Sequence, residues 1–99
     1  MYIVLTEFVA KEGKVAEFED YFGSAGKRAE VLQNGEGFMS TELLRDKGAK
    51  LRYVTMDRWV SKDAYDDFGI EFESENSDLV RAGEELSSKH ALIGALERL

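Results

Sequence analysis

The stretch Arg-Tyr-Val-Thr-Met-Asp-Arg-Trp (Arg52 to Trp59) carries a carboxylate and an indole two residues apart. In an extended chain alternate residues project the same way, so Tyr53, Thr55, Asp57 and Trp59 share one face and Arg52, Val54, Met56 and Arg58 share the other. An acid beside an aromatic wall suits general-base chemistry on an apolar substrate, which calls for a proton acceptor in surroundings that exclude water. Asp57 is the candidate base, because a carboxylate withdrawn from water holds a proton more readily. The same side chain could instead accept hydrogen bonds from a neighbouring tyrosine or arginine and simply fix it in place. Arg52 and Arg58 project from the opposite face, so such a partner must come from another strand or a helix, with Tyr21 and Tyr65 the first candidates. Trp59 is the candidate catalytic wall, although an indole filling the gap between a sheet and a helix needs no substrate to explain it.

The candidate substrate contacts around this pair are Thr6, Tyr53, Phe22 and Phe68. Thr6 can hydrogen-bond a small ligand, and it is also ordinary strand composition. His90 is the one side chain whose unperturbed titration lies near neutrality, and at the edge of an element it is expected to be solvated. The acidic runs at Asp66-Asp67 and Glu71 to Glu75 lack the spaced oxygen ligands and central glycine of a cation loop, so they read as solvated faces and no metal site is expected. Gly23, Gly26, Gly35, Gly37 and Gly48 do not lead a strand into a helix as a phosphate-binding or dinucleotide loop requires. No cofactor is expected.

Composition narrows the setting. Ninety-nine residues make one domain, 1–99, since either half alone is too small to bury a core. With no cysteine there are no disulfides, thiolate metal sites or cysteine nucleophiles. A formal charge of −7 repels a phosphate backbone, and the densest basic groups are only Lys27-Arg28 and Arg45 with Lys47, so nucleic acid is not an expected partner. No apolar run approaches the roughly 20 residues that span a bilayer, and Tyr2 to Ala10 lacks the basic lead-in of a secretory signal, so a cytoplasmic protein away from membranes is expected.

The elements that must position these residues follow from periodicity. Tyr2 to Ala10 is rich in β-branched and aromatic residues and reads as a strand closed by Lys-Glu-Gly. From Gly13, Val15, Phe18, Phe22, Ala25, Ala29 and Leu32 recur at three- and four-residue steps, which predicts one amphipathic helix ending at Asn34-Gly35. Gly23 and Gly26 weaken that helix by roughly 1 kcal/mol each. Two strands follow, Phe38 to Arg45 and Leu51 to Val60, joined by a hairpin at Asp46-Lys47-Gly48. Ser61 caps a helix bearing Ala64, Tyr65, Phe68 and Phe72, which breaks near Glu73 to Asn76. Asn76 or Ser77 caps a further short helix, and His90 to Leu99 reads as strand or helix on periodicity alone. The order is that of an α+β, ferredoxin-like split β-α-β (βαββαβ), an antiparallel sheet with helices on one face. Yet in the first strand Val4 and Phe8 point one way while Ile3, Leu5 and Val9 point the other, so both faces are apolar. A second copy of the chain is the expected cover, making a homodimer with Val54 and Met56 at its interface.

Three stretches together resemble the antibiotic-biosynthesis-monooxygenase family: the opening strand with Gly13 and its amphipathic helix, the Gly37-Phe38 start of the second strand, and Arg52 to Tyr65, with Ser-Lys-Asp-Ala-Tyr directly behind Trp59 and Val60. The resemblance covers nearly the whole chain. It implies a dimeric α+β barrel with a separate pocket in each subunit between sheet and helices, and a final strand at His90 to Leu99. It also implies either a cofactor-independent monooxygenase of a small phenolic or polycyclic apolar compound, or a non-catalytic small-molecule-binding or dimerisation module of the same fold. Haem-degrading members carry an asparagine seven residues before the first glycine and a histidine ten residues after the tryptophan; here those positions are Thr6 and Gly69. The resemblance therefore points away from haem degradation.

Overall fold

The β-branched and aromatic run at the start forms strand β1 (Tyr2–Ala10), and Gly13, at a φ of +85°, turns the chain into helix α1 (Val15–Phe22). The computed structural model describes all residues, 1–99. The single helix expected from Gly13 to Leu32 is instead two, α1 and α2 (Lys27–Leu32), separated at Gly23 and Gly26. Both glycines are extended, and a Cβ on Gly26 would lie 2.2 Å from the carbonyl oxygen of Asp20 and 2.6 Å from that of Tyr21. The chain folds back over the end of α1 at a distance that only a residue without a side chain allows. The apolar spacing runs through the break because Phe18 and Phe22 on one side and Ala29 and Leu32 on the other are all buried.

Strands β2 (Phe38–Arg45) and β3 (Arg52–Trp59) form a hairpin whose turn is tied by the Gly48 amide donating to Asp46 Oδ1 at 2.7 Å. Ser61 then caps α3 (Lys62–Glu71), its Oγ accepting from the Ala64 amide at 3.1 Å. Helix α4 (Glu73–Leu86) begins directly after Phe72, earlier than the expected cap at Asn76 or Ser77, and is the longest helix. The ambiguous terminal segment is strand β4 (Ser87–Glu97), which pairs with β1 along its length. The alternative of a helix loses because β1, already paired with β3 on one edge, offers a second row of backbone groups that need partners.

The sheet order is β2-β3-β1-β4 with every neighbouring pair antiparallel, the βαββαβ ferredoxin-like topology. Burial along β3 alternates strictly: Tyr53, Thr55, Asp57 and Trp59 face the helices and are buried, and their neighbours are not. Two apolar clusters fill the helix side. One gathers Phe8, Ala10, Phe18, Phe22 and Tyr53, and the other Leu32, Trp59, Phe68 and Leu79. The opposite face has no helix over it and presents Ile3, Leu5, Val9, Val54 and Met56, all partly exposed. Ion pairs fringe that face, with Arg52 on Glu7 and Asp46, and Arg58 on Glu42.

Candidate functional site

Between the two clusters the helices do not close on the sheet, leaving a cavity of about 650 Å³. Its floor is the helix-facing side of β1 and β3, and its walls come from all four helices and the edge strand. Five of the six residues singled out from sequence meet here: Thr6, Phe22, Asp57, Trp59 and Phe68 all line it. The aromatic rings pack against one another without filling the space. The Trp59 ring lies 5.4 Å from that of Phe68 and 5.9 Å from that of Tyr65, and Trp59 is 1% exposed. The backbone at Gly35 is pressed against both, since a Cβ there would meet Phe68 at 2.7 Å and the indole at 3.1 Å.

Tyr53 lies elsewhere. It shares a strand face with Asp57, but four residues along a strand is roughly 13 Å, which carries it from beneath the cavity to beneath α1. There its ring packs 4.8 Å from that of Phe18 and its hydroxyl donates to Glu19, which also accepts from Arg45 at 2.6 Å. The Arg45 bond first, and the Tyr53 bond second, hold the Glu19 carboxyl below its ordinary range, while burial is the main cause that pushes the Tyr53 phenol up.

The inner wall of the cavity carries its polar cluster. Asp57 Oδ2 accepts from Arg28 Nη2 at 2.7 Å, and Oδ1 accepts from Arg28 Nη1 at 3.1 Å and from Thr41 Oγ1 at 2.6 Å. Arg28 Nη1 also donates to Thr41 Oγ1 at 3.3 Å, which closes the cluster. Asp57 is 5% exposed, and the guanidinium sits 5.8 Å above the centre of the Phe22 ring. The expected tyrosine partners are not used. Tyr21 donates to the Leu79 carbonyl at 2.9 Å, and Tyr65 packs between Trp59 and Tyr2. Burial is the main cause that pushes both phenols above their ordinary value.

From sequence Arg28 stands out only as half of the basic pair Lys27-Arg28, with no place in the site. The signal was present in its spacing: Arg28 lies one turn before buried Leu32, on the inner edge of the stripe, and Asp57 is the sole acid on the helix-facing sides of β1, β2 and β3. His90 is exposed, as expected, but lies within β4 rather than at its boundary, pairs across from Phe8, stacks on that ring at 5.8 Å and borders the cavity. Thr6 and Gly69 also line it, and no three His, Asp or Glu side chains converge to hold a metal ion. Directly along β3 from Asp57, the hydroxyl of Thr55 is fully buried with no hydrogen-bond partner.

The sequence pattern of the antibiotic biosynthesis monooxygenase family matches residues 1–69. No curated protein sequence matches the chain. Among solved structures it is similar to a variant of SnoaB, a cofactor-independent oxygenase from Streptomyces nogalater, at 24% identity over 99% of this chain and 95% of that one, with a TM-score of 0.74. It is also similar to MhuD, a haem degrader from Mycobacterium tuberculosis, at 20% identity over 100% and 96% of the two chains and a TM-score of 0.68. A conserved protein from Methanosarcina mazei matches at 12% identity over 99% and 92%, with a TM-score of 0.74. At such identities the likeness speaks for the shared fold.

Proposed function

The chain belongs to the antibiotic biosynthesis monooxygenase family, and we propose that it is a cofactor-independent monooxygenase acting on a small phenolic or polycyclic apolar compound bound in the sheet-helix cavity. The observation that carries this reading is the cavity itself: about 650 Å³, within the range of small-molecule sites, with aromatic walls and one buried polar cluster. Trp59, Phe22 and Phe68 hold the apolar body of the substrate and keep water away, and Thr6 offers a hydroxyl from the floor. The balance of the reaction needs no added reductant. A phenol with a free ring position gives up four electrons and becomes a quinone, one atom of O₂ entering the ring as the new carbonyl and the other leaving as water. Oxygen uptake by purified protein with a panel of hydroxylated aromatics tests the reading, with one O₂ consumed per quinone formed as the expected result. Binding across the panel with no uptake above the protein-free rate would overturn it.

A non-catalytic binding module of the same fold is the second reading, favoured by one observation: both Asp57 oxygens are already engaged by Arg28 and Thr41, so the inner wall has no free carboxylate to serve as base. For the helix-free side of the sheet the proposed partner is a second copy of this chain, because Ile3, Leu5, Val9, Val54 and Met56 form an apolar face that a lone subunit leaves in water.

A further inference from the structure

We propose that Arg28 anchors the substrate by an oxygen that is uncharged when it binds and gains negative charge as it reacts; this rests on the reading of the cavity as the substrate site. A guanidinium has five N–H donors in a fixed plane. Nη1 and Nη2 each turn one to the Asp57 carboxylate, and the Nη1 hydrogen is shared with Thr41, whose oxygen lies 2.6 Å from the Asp57 oxygen. Of those that remain, the ones on Nε and Nη2 lie along the adjoining edge of the plane and form a second fork, and no protein acceptor takes it. Arg28 lines the cavity with Val4, Phe22, Leu32 and Trp59, none of which offers an acceptor, and the Thr6 and Tyr65 hydroxyls of the lining make no bond to it. A ligand oxygen is the acceptor this fork lacks.

The charge around the fork selects the kind of oxygen. Asp57 offsets the charge of Arg28, and the other carboxylates lining the cavity are Asp66, which is paired with Lys62 at 2.6 Å, and Glu84. The site therefore offers directed donors without net positive charge. That disfavours a permanent anion such as a carboxylate and suits a phenol or ketone oxygen, whose developing charge the oriented fork stabilises most strongly. Asp57 and Thr41 are positioning residues, holding the guanidinium plane while its free edge meets the ligand. Folding alone gives little reason for the arrangement, since a buried ion pair can commonly be replaced by apolar side chains without loss of stability.

The test is equilibrium dialysis of 2-naphthol, naphthalene and 2-naphthoate against the wild type and against the paired replacement Arg28→Met with Asp57→Leu, which leaves no lone buried charge. One hydrogen bond of this kind corresponds to about a tenfold preference, so wild type should hold 2-naphthol about tenfold more tightly than naphthalene, and 2-naphthoate more weakly than 2-naphthol. The paired replacement should lose the preference, holding 2-naphthol and naphthalene about equally. On wild type alone, the ¹H–¹⁵N signal of Arg28 Nε should move with 2-naphthol and stay in place with naphthalene, a readout that needs no variant to fold. Equal binding of 2-naphthol and naphthalene, a preference that survives in the paired replacement, tighter binding of 2-naphthoate or a still Nε signal would each overturn the proposal. Since binding is read without turnover, a protein that shows the preference but never consumes oxygen leaves Arg28 as the anchor and removes only the oxygenase reading.

Discussion

Replacing Asp57 by asparagine separates a base from a brace. The amide keeps the shape of the carboxylate but offers one oxygen where there were two, and turns an NH₂ toward a guanidinium or a hydroxyl that is already donating. The Arg28 charge, with its side chain 17% exposed, loses its counter-ion. Breaking a buried pair from one side costs about 3 to 5 kcal/mol, and the residual exposure of Arg28 together with its bond to Thr41 puts this case at the lower end, about 3 kcal/mol. With roughly 2.1 cal/mol/K of unfolding entropy per residue, a chain of this length should lose about 15 °C in Tm. Circular dichroism during heating and in urea measures that loss. Oxygen uptake, or ligand binding, taken well below the new Tm gives the activity per folded molecule, which should fall only as far as Arg28 is displaced. The paired replacement Arg28→Met with Asp57→Leu should recover stability to within about 1 kcal/mol of wild type, because no charge is left alone and the remaining deficit is the Thr41 hydroxyl, which loses both its partners. The opposite pattern would refute this reasoning: a variant Asp57→Asn as stable as wild type whose rate falls about 10²- to 10⁴-fold and loses its acidic limb is one that has lost a general base.

Thr55→Val removes a buried hydroxyl that has no partner while keeping its shape, so urea unfolding should show a gain of about 1 kcal/mol. Tyr21, Tyr53 and Tyr65 all titrate above the ordinary phenol value of 10.0, with burial the largest cause in each. The folded state therefore holds these protons more tightly than the unfolded state, so their contribution is complete below pH 10 and is lost as the pH rises through the raised values. The urea midpoint should fall above that pH, and phenolate absorbance of the folded protein should lag behind that of the unfolded chain. Met56→Lys places a charge in the middle of the helix-free sheet face, and sedimentation at micromolar concentration should show wild type as a dimer and this variant as a monomer with an unchanged fold by circular dichroism.

Periodicity determines much of this protein. Alternation over Tyr2 to Ala10 and Arg52 to Trp59 sets which side chains share a face, and in a strand that property is local, since a one-residue change of register would move every apolar residue to the wrong side. The order of residues alone thus puts Asp57 and Trp59 on one face and Val54 and Met56 on the other, while packing decides that the first of these is the helix side. The same local logic identifies Ser61 as a cap. Where apolar spacing continued through Gly23 and Gly26 it was misleading, because the contact that breaks the helix is a close approach of backbone to backbone, and two glycines in a helical pattern carry no record of which carbonyls they must pass. Between His90 and Leu99 the choice of strand was left to the free edge of β1. The site depended most on tertiary structure. Arg28 and Asp57 lie on different elements 29 residues apart, and only the packing of α2 over the sheet brings the guanidinium to the carboxylate and Thr41 together. Tyr53 was lost from the site for the same reason: facing the helices is a property of one strand, whereas which helix lies overhead, and whether a cavity remains beneath it, is decided by how the layers pack.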